Sequence, residues 1–216
     1  PRIGVYDIGA DEFSTASIVR KPLTSSDVGP DWLADPVDPP SGGGCGLALG
    51  CAIQGEDFTA ILDPDGDGNQ WRVTVVAEAL GGEVLKAPGG DRVDLGSEQH
   101  DTIATYDLTF DTEGTYRAYY RARGFDGSSD SLYTPDGFGL DPEDNESLSN
   151  TGSFRWERNT TEFEVGSSLV GVPLEFRLAM REQDAELDAF VLSTNLSLSD
   201  EELDALFDVL PGDYNG

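Results

Sequence analysis

Between residues 51 and 196 the chain is written in short apolar runs separated by turn signals, the pattern of an all-β sandwich. In 115–123, TYRAYYRAR, Tyr116, Ala118, Tyr120 and Ala122 take one side while Arg117, Tyr119, Arg121 and Arg123 take the other. Such a period of two belongs to a strand with one buried face. Further on, Leu174, Phe176, Leu178 and Met180 alternate with Glu175, Arg177, Ala179 and Arg181 in the same way. Residues 187–192 are apolar on both sides except at Asp188. Other strands are expected over 52–62, 71–79, 102–110, 154–156 and 162–165. Residues 124–150, rich in Asp, Ser and Gly, read as a long excursion over the surface.

Past residue 195 the period changes. Ser199 followed by Glu202 is a capping-box pattern, acid fills the first turn, and Leu203, Leu206, Phe207 and Leu210 form an apolar stripe ended by Pro211 and Gly212. At the other end, Pro22, Pro30, Pro36, Pro39, Pro40 and the run SGGG mark a linker. The pattern therefore divides the chain into 1–13, a linker 14–50, a sandwich 51–196, a short helix 197–212 and a tail 213–216.

Charge narrows the partners. Among 216 residues, 42 acidic and 13 basic give a net charge of -29, which repels phosphate backbones and anionic lipid surfaces. Nucleic acid and membrane insertion are thus not expected. Acidity of this degree suits a secreted protein in a salty or calcium-containing medium, although it also serves solubility alone. No basic leader with an apolar run opens the chain, which begins at Pro1. An excerpt from a longer extracellular precursor, covalently joined to neighbouring domains, is expected. Cys45 and Cys51 sit in a Gly-rich stretch and read equally well as a small disulfide loop or as two free thiols.

Candidate chemistry centres on Asp188. A lone carboxylate in so apolar a strand costs several kcal/mol unless paired, and a metal ion or a Ser, Tyr or Arg partner would each serve. Asp63, Asp65, Asp67 and Asn69 form a DxDxDxN loop. An EF-hand needs Glu at its twelfth position, where Thr74 stands, so this is a partial calcium loop or an acidic solvated turn. For a glycan, whose rings stack on aromatics and whose hydroxyls need paired polar groups, Trp156, Tyr133 and Tyr119 are the candidate aromatics, with Arg123 and Arg181 as polar partners. A core position is an equal reading for Trp156. The arginines between 114 and 181 form either a patch for uronate or sulfate groups or cross-strand pairs with Glu157, Glu162, Glu175 and Glu182. No GxSxG, HExxH, P-loop or dinucleotide fingerprint is present, and His100 lies in the polar stretch SEQHDT, so catalysis is not expected.

The chain carries resemblances to three known kinds of module. IQGEDF (53–58) and ELDAFVL (186–192), with GTYRAYYRAR and SSDSLY between them, resemble the strands of carbohydrate-binding modules of families 6 and 35. That resemblance implies a jelly-roll β-sandwich whose first and last strands lie side by side. It also implies a structural calcium held by Gln54, Glu56 and Asp188, and polysaccharide, neutral or anionic, as partner. Gly55 replaces the Ala usual there, an exchange expected to be harmless. The opening PRIGVYDIGADEF resembles the closing coil of right-handed parallel β-helices, and the final GDYNG resembles the start of a dockerin calcium loop.

Overall fold

The computed structural model describes residues 44–45, 51–89, 100 and 102–207, all within the unit Pro39–Gly216. In chain order the strands are β1 (Gly44–Cys45), β2 (Cys51–Gln54), β3 (Ala60–Leu62), β4 (Arg72–Val75), β5 (Glu83–Lys86), β6 (Ile103–Phe110), β7 (Gly114–Arg123), β8 (Ser131–Pro135), β9 (Pro142–Ser147), β10 (Arg155–Val165), β11 (Pro173–Met180) and β12 (Glu186–Ser193), followed by α1 (Asp200–Ala205). They form two six-stranded sheets. One runs β1-β6-β11-β8-β9 with β3 also on β6; the other runs β10-β7-β12-β5-β4 with β2 also on β12. Every pairing is antiparallel except that of β1 with β6. From β6 onward the chain crosses between sheets at nearly every connection, so the expected all-β jelly-roll sandwich is the fold observed.

The alternation read from β7 and β11 sets the core. Tyr116, Ala118, Tyr120 and Ala122 face inward and are buried, as are Phe176, Leu178 and Met180. Phe190 of β12 stacks on Phe176 at 5.3 Å and meets Tyr106 edge-on at 4.8 Å, tying the two sheets together. Each ring of this size contributes about 1.5–3 kcal/mol on burial.

Several expectations are corrected. Residues 124–150 are not one excursion, because they contain β8 and β9 paired as a hairpin. All of β8 is buried, so the outward polar positions that give a strand its alternation are lacking. The expected strands over 154–156 and 162–165 are one strand, β10, which begins at Arg155 and whose register on β7 shifts between Arg158 and Glu162. Conversely, 52–62 splits into β2 and β3, which lie in different sheets. β5 falls among the glycines after residue 79, in an interval where the sequence pattern implies no strand. The sandwich also begins before residue 51, since Gly44 and Cys45 already pair with Thr109 and Phe110. Cys51 is disulfide-bonded.

Ser199 caps α1 as the sequence implied. Its hydroxyl accepts the Glu202 amide while the Glu202 carboxylate accepts the Ser199 amide. The β-helix-like opening 1–13, most of the linker 14–50, residues 208–212 of the expected helix and the tail 213–216 lie outside the described residues.

Candidate functional site

The first and last strands of the sandwich meet. β2 pairs along β12 with Gln54 opposite Ala189, and the Gly55 amide donates to the Asp188 carbonyl at 2.7 Å. Asp188 sits where the register of β12 on β7 shifts, a bulge that presents one extra residue on the sheet. A Cβ on Gly55 would lie 2.4 Å from the Leu187 carbonyl oxygen, so Gly is required here. The Ala usual in the resembled motif would clash with this backbone.

Beside that junction the turn at Leu80 and Gly81 closes over three side chains. The Leu80 amide donates to both Asp188 carboxylate oxygens, at 3.0 and 3.3 Å. Glu56 and Gln54 press against Gly81, where an added Cβ would sit 2.8 Å from Glu56 Oε1 and 3.1 Å from Gln54 Cδ. Gln54 Oε1 and Glu56 Oε2 are buried and accept no hydrogen bond. Burial pushes the Glu56 carboxyl up to about 7. Two donorless oxygens beside a buried carboxylate suit a hard cation, since calcium takes six to eight oxygen ligands and tolerates irregular geometry. Asp188, fully buried, is not alone: Arg121 of β7 forms an ion pair with it, the arginine partner the sequence had left open.

The second expected loop is assembled differently. Asp63, Asp65 and Asp67 do converge, each with a carboxylate oxygen within 4.8 Å of the others. Their oxygens are taken by the loop itself. Asp63 accepts the Gly66 and Gly68 amides, Asp65 the Asp67 amide, and Asp67 both the backbone and side-chain amides of Asn69.

The aromatic candidates are not brought together as a stacking face. Trp156 is 5% exposed; its Nε1 donates to Asp204 of α1 at 2.8 Å and its ring lies 6.0 Å from that of Phe207. Tyr119 is fully buried and donates to the Asn195 carbonyl at 2.8 Å. Both rings seat the C-terminal segment on the outer face of their sheet, with Leu198, Leu203 and Leu206. Tyr133, on the other sheet, is buried edge-on against His100. Being covered, these three offer no ring face to a sugar, which corrects the expectation. His100 is likewise buried instead of lying in a solvated turn.

Six of the arginines between 114 and 181 are ion-paired. Arg117 meets Glu162, Arg123 meets Glu186, Arg158 meets Asp200, Arg177 meets Glu175 and Asp141, and Arg181 meets Glu182 while donating to Ser131. Two of these pairs run across strands, Arg117 with Glu162 and Arg123 with Glu186, whereas Arg177 with Glu175 and Arg181 with Glu182 are neighbours along the chain; ion pairing, not an open anion patch, is what the fold makes of them.

A concavity of about 300 Å³ opens elsewhere, at one end of the sandwich, lined by Lys86, Phe125, Asp126, Ser129, Gln183 and Asp184. Gly124 turns the chain out of β7 so tightly that a Cβ there would be 2.2 Å from the Ser129 carbonyl. The Ser129 hydroxyl then accepts the amides of Phe125 and Asp126, at 2.8 and 3.0 Å, which projects Phe125 outward, 44% exposed. On the opposite wall Asp184 adopts a left-handed φ of 58°, which Asp tolerates better than most residues, and pairs with Lys86 at 3.4 Å. Arg123 lies behind this wall, its guanidinium 4.3 Å from the Phe154 ring centre and 5.2 Å from that of Phe125. Of the five expected glycan residues, only Arg123 borders this concavity. Its other members escaped the sequence reading; the available signal was GFDGSSD, an aromatic set between glycines directly after the strand end.

No family model and no curated protein matches the chain. Among solved structures it is similar to the C-terminal family 6 carbohydrate-binding module of a marine laminarinase from Zobellia galactanivorans, at 14% identity and TM-score 0.43, covering 66% of this chain and 97% of that one. It is also similar to a family 35 carbohydrate-binding module from Clostridium thermocellum, at 10% identity and TM-score 0.45 over 67% of this chain and 98% of the other. A family 6 module from Clostridium stercorarium in complex with cellobiose gives 13% identity and TM-score 0.44 over 71% and 98%. At such identities none of them assigns a ligand to this chain.

Proposed function

We propose that this sandwich is a non-catalytic, calcium-stabilised carbohydrate-binding domain of an extracellular multidomain protein. The observation that carries the reading is the meeting of IQGEDF and ELDAFVL as β2 and β12. It sets Gln54, Glu56 and Asp188 at one corner and leaves two of their oxygens buried without donors. Calcium there would supply charge compensation and join the first strand to the last. A disulfide at Cys51 accords with an oxidising compartment.

The sugar is assigned to the concavity around Phe125. An exposed ring beside Lys86, Asp126, Ser129 and Asp184 offers an apolar face together with hydrogen-bond donors and acceptors. Its charges are Lys86 and Arg123 against Asp126, Asp184 and Glu186, which favours a neutral glycan over a uronate or sulfated one.

Retention on a panel of neutral, uronate and sulfated polysaccharides tests the assignment. Saturable retention on a neutral glycan, lost in Phe125→Ala and weakened in Asp184→Asn, is expected. No retention on any member of the panel would favour a purely structural or adhesive sandwich, and release of reducing ends would show an enzyme.

A further inference from the structure

Arg121 stands between two carboxylates that belong to different parts of the molecule. On one side it forms an ion pair with Asp188, and on the other its Nε lies 3.7 Å from Asp204 Oδ1 of α1. Asp204 Oδ1 also accepts Trp156 Nε1, so this oxygen is a polar anchor of the helix on the sheet, beside the Arg158–Asp200 pair. The guanidinium is held in place by the Phe154 ring, 5.1 Å from its centre. One cation is thus shared by the buried end of the proposed calcium site and by the contact that seats the C-terminal segment.

We infer that Arg121 is the built-in competitor of calcium: it neutralises Asp188 when the site is empty, and a cation entering among Gln54, Glu56 and Asp188 transfers it to Asp204, tightening α1 on the sheet. This rests on the calcium reading above. Two positive charges cannot both be accommodated at one buried carboxylate without strong repulsion, so calcium and the guanidinium exclude each other there. Asp204 is half exposed and already within reach, so the displaced arginine need not be left without a partner. Linkage then works in both directions. Whatever calcium does for α1, the partner that α1 offers to Arg121 does for calcium.

The test is calcium calorimetry and hydrogen exchange on the full chain after chelator treatment. Arg121→Gln is expected to bind calcium at least about tenfold more tightly than wild type, because a cation next to the site is gone. Asp204→Asn is expected to bind it several-fold more weakly, although Asp204 is no ligand. Asp200→Asn, which removes the same charge from the same helix but faces Arg158, serves as control and is expected to change affinity less. In wild type, calcium should slow amide exchange over 203–207, and Asp204→Asn should abolish that slowing while still binding calcium. If neither wild type nor Arg121→Gln binds calcium, the calcium reading itself fails. If both bind it equally, or if Asp204→Asn and Asp200→Asn match, or if exchange over 203–207 ignores calcium, the inference fails and the site stands. Asp204 is half exposed and an Asn there keeps an oxygen for Trp156 Nε1, so the comparison of Asp204→Asn with Asp200→Asn stands whether or not Arg121→Gln folds.

Discussion

Gly55 and Gly81 show how much of this molecule is decided at single positions. Gly55 reads in the sequence as a neutral departure from the resembled motif, yet its Cα faces the Leu187 carbonyl where β2 leaves β12. Gly55→Ala is therefore expected to lower stability by about 1–3 kcal/mol in denaturant unfolding, the usual cost of forcing a methyl group into closed packing. Gly81→Ala should act differently. The added methyl meets the movable end of Glu56 and not backbone, so calcium affinity should fall while unfolding without calcium changes little. A third residue gives a pH signature. Burial, with Glu157 and Asp144 nearby, pushes the Glu146 carboxyl up to about 7 from its ordinary 4.5. A carboxyl raised on folding holds its proton more tightly in the native state, so its contribution is complete below about pH 4.5 and is lost as pH rises through 7. Glu146→Gln should then raise the melting temperature at pH 8 and leave it nearly unchanged at pH 5. Equal shifts at both pH values would count against this assignment.

Among the elements, β7 and β11 were legible because each has one covered and one less covered face, so that the side-chain period appears in the text. β8 was not, since burial on both faces removes the period, and β5 was hidden by the glycines around it. The capping box of α1 could be read because it is local, a matter of Ser199 and Glu202 three residues apart. What α1 covers could not be read. Trp156 and α1 are separated by more than forty residues, and only the fold sets the ring beneath the helix. This places Trp156 among the residues that hold the structure together. Trp156→Ala is expected to cost about 3–5 kcal/mol in chemical unfolding, as for other large core truncations, whatever happens to glycan retention. A variant that loses sugar binding at undiminished stability would instead return Trp156 to a binding face.

For the molecule as a whole, the two motif fragments separated by more than a hundred residues were the most informative part of the sequence. A hydrogen-bonded junction such as Gly55 to Asp188 is the long-range contact they implied. The arginine pairs could be stated only as one of two readings, because pairing depends on which strands become neighbours. The concavity at Phe125 was missed for the same reason, being built from three connections distant in sequence. Such an architecture, closed by contacts between its two ends, depends on whatever holds those ends together. The most direct measurement is thermal unfolding of wild type and Glu56→Gln, each with excess calcium and with chelator at neutral pH. A cation joining β2 to β12 requires a clear rise in melting temperature with calcium for wild type and a much smaller one for Glu56→Gln. Identical melting curves with and without calcium for wild type would contradict it.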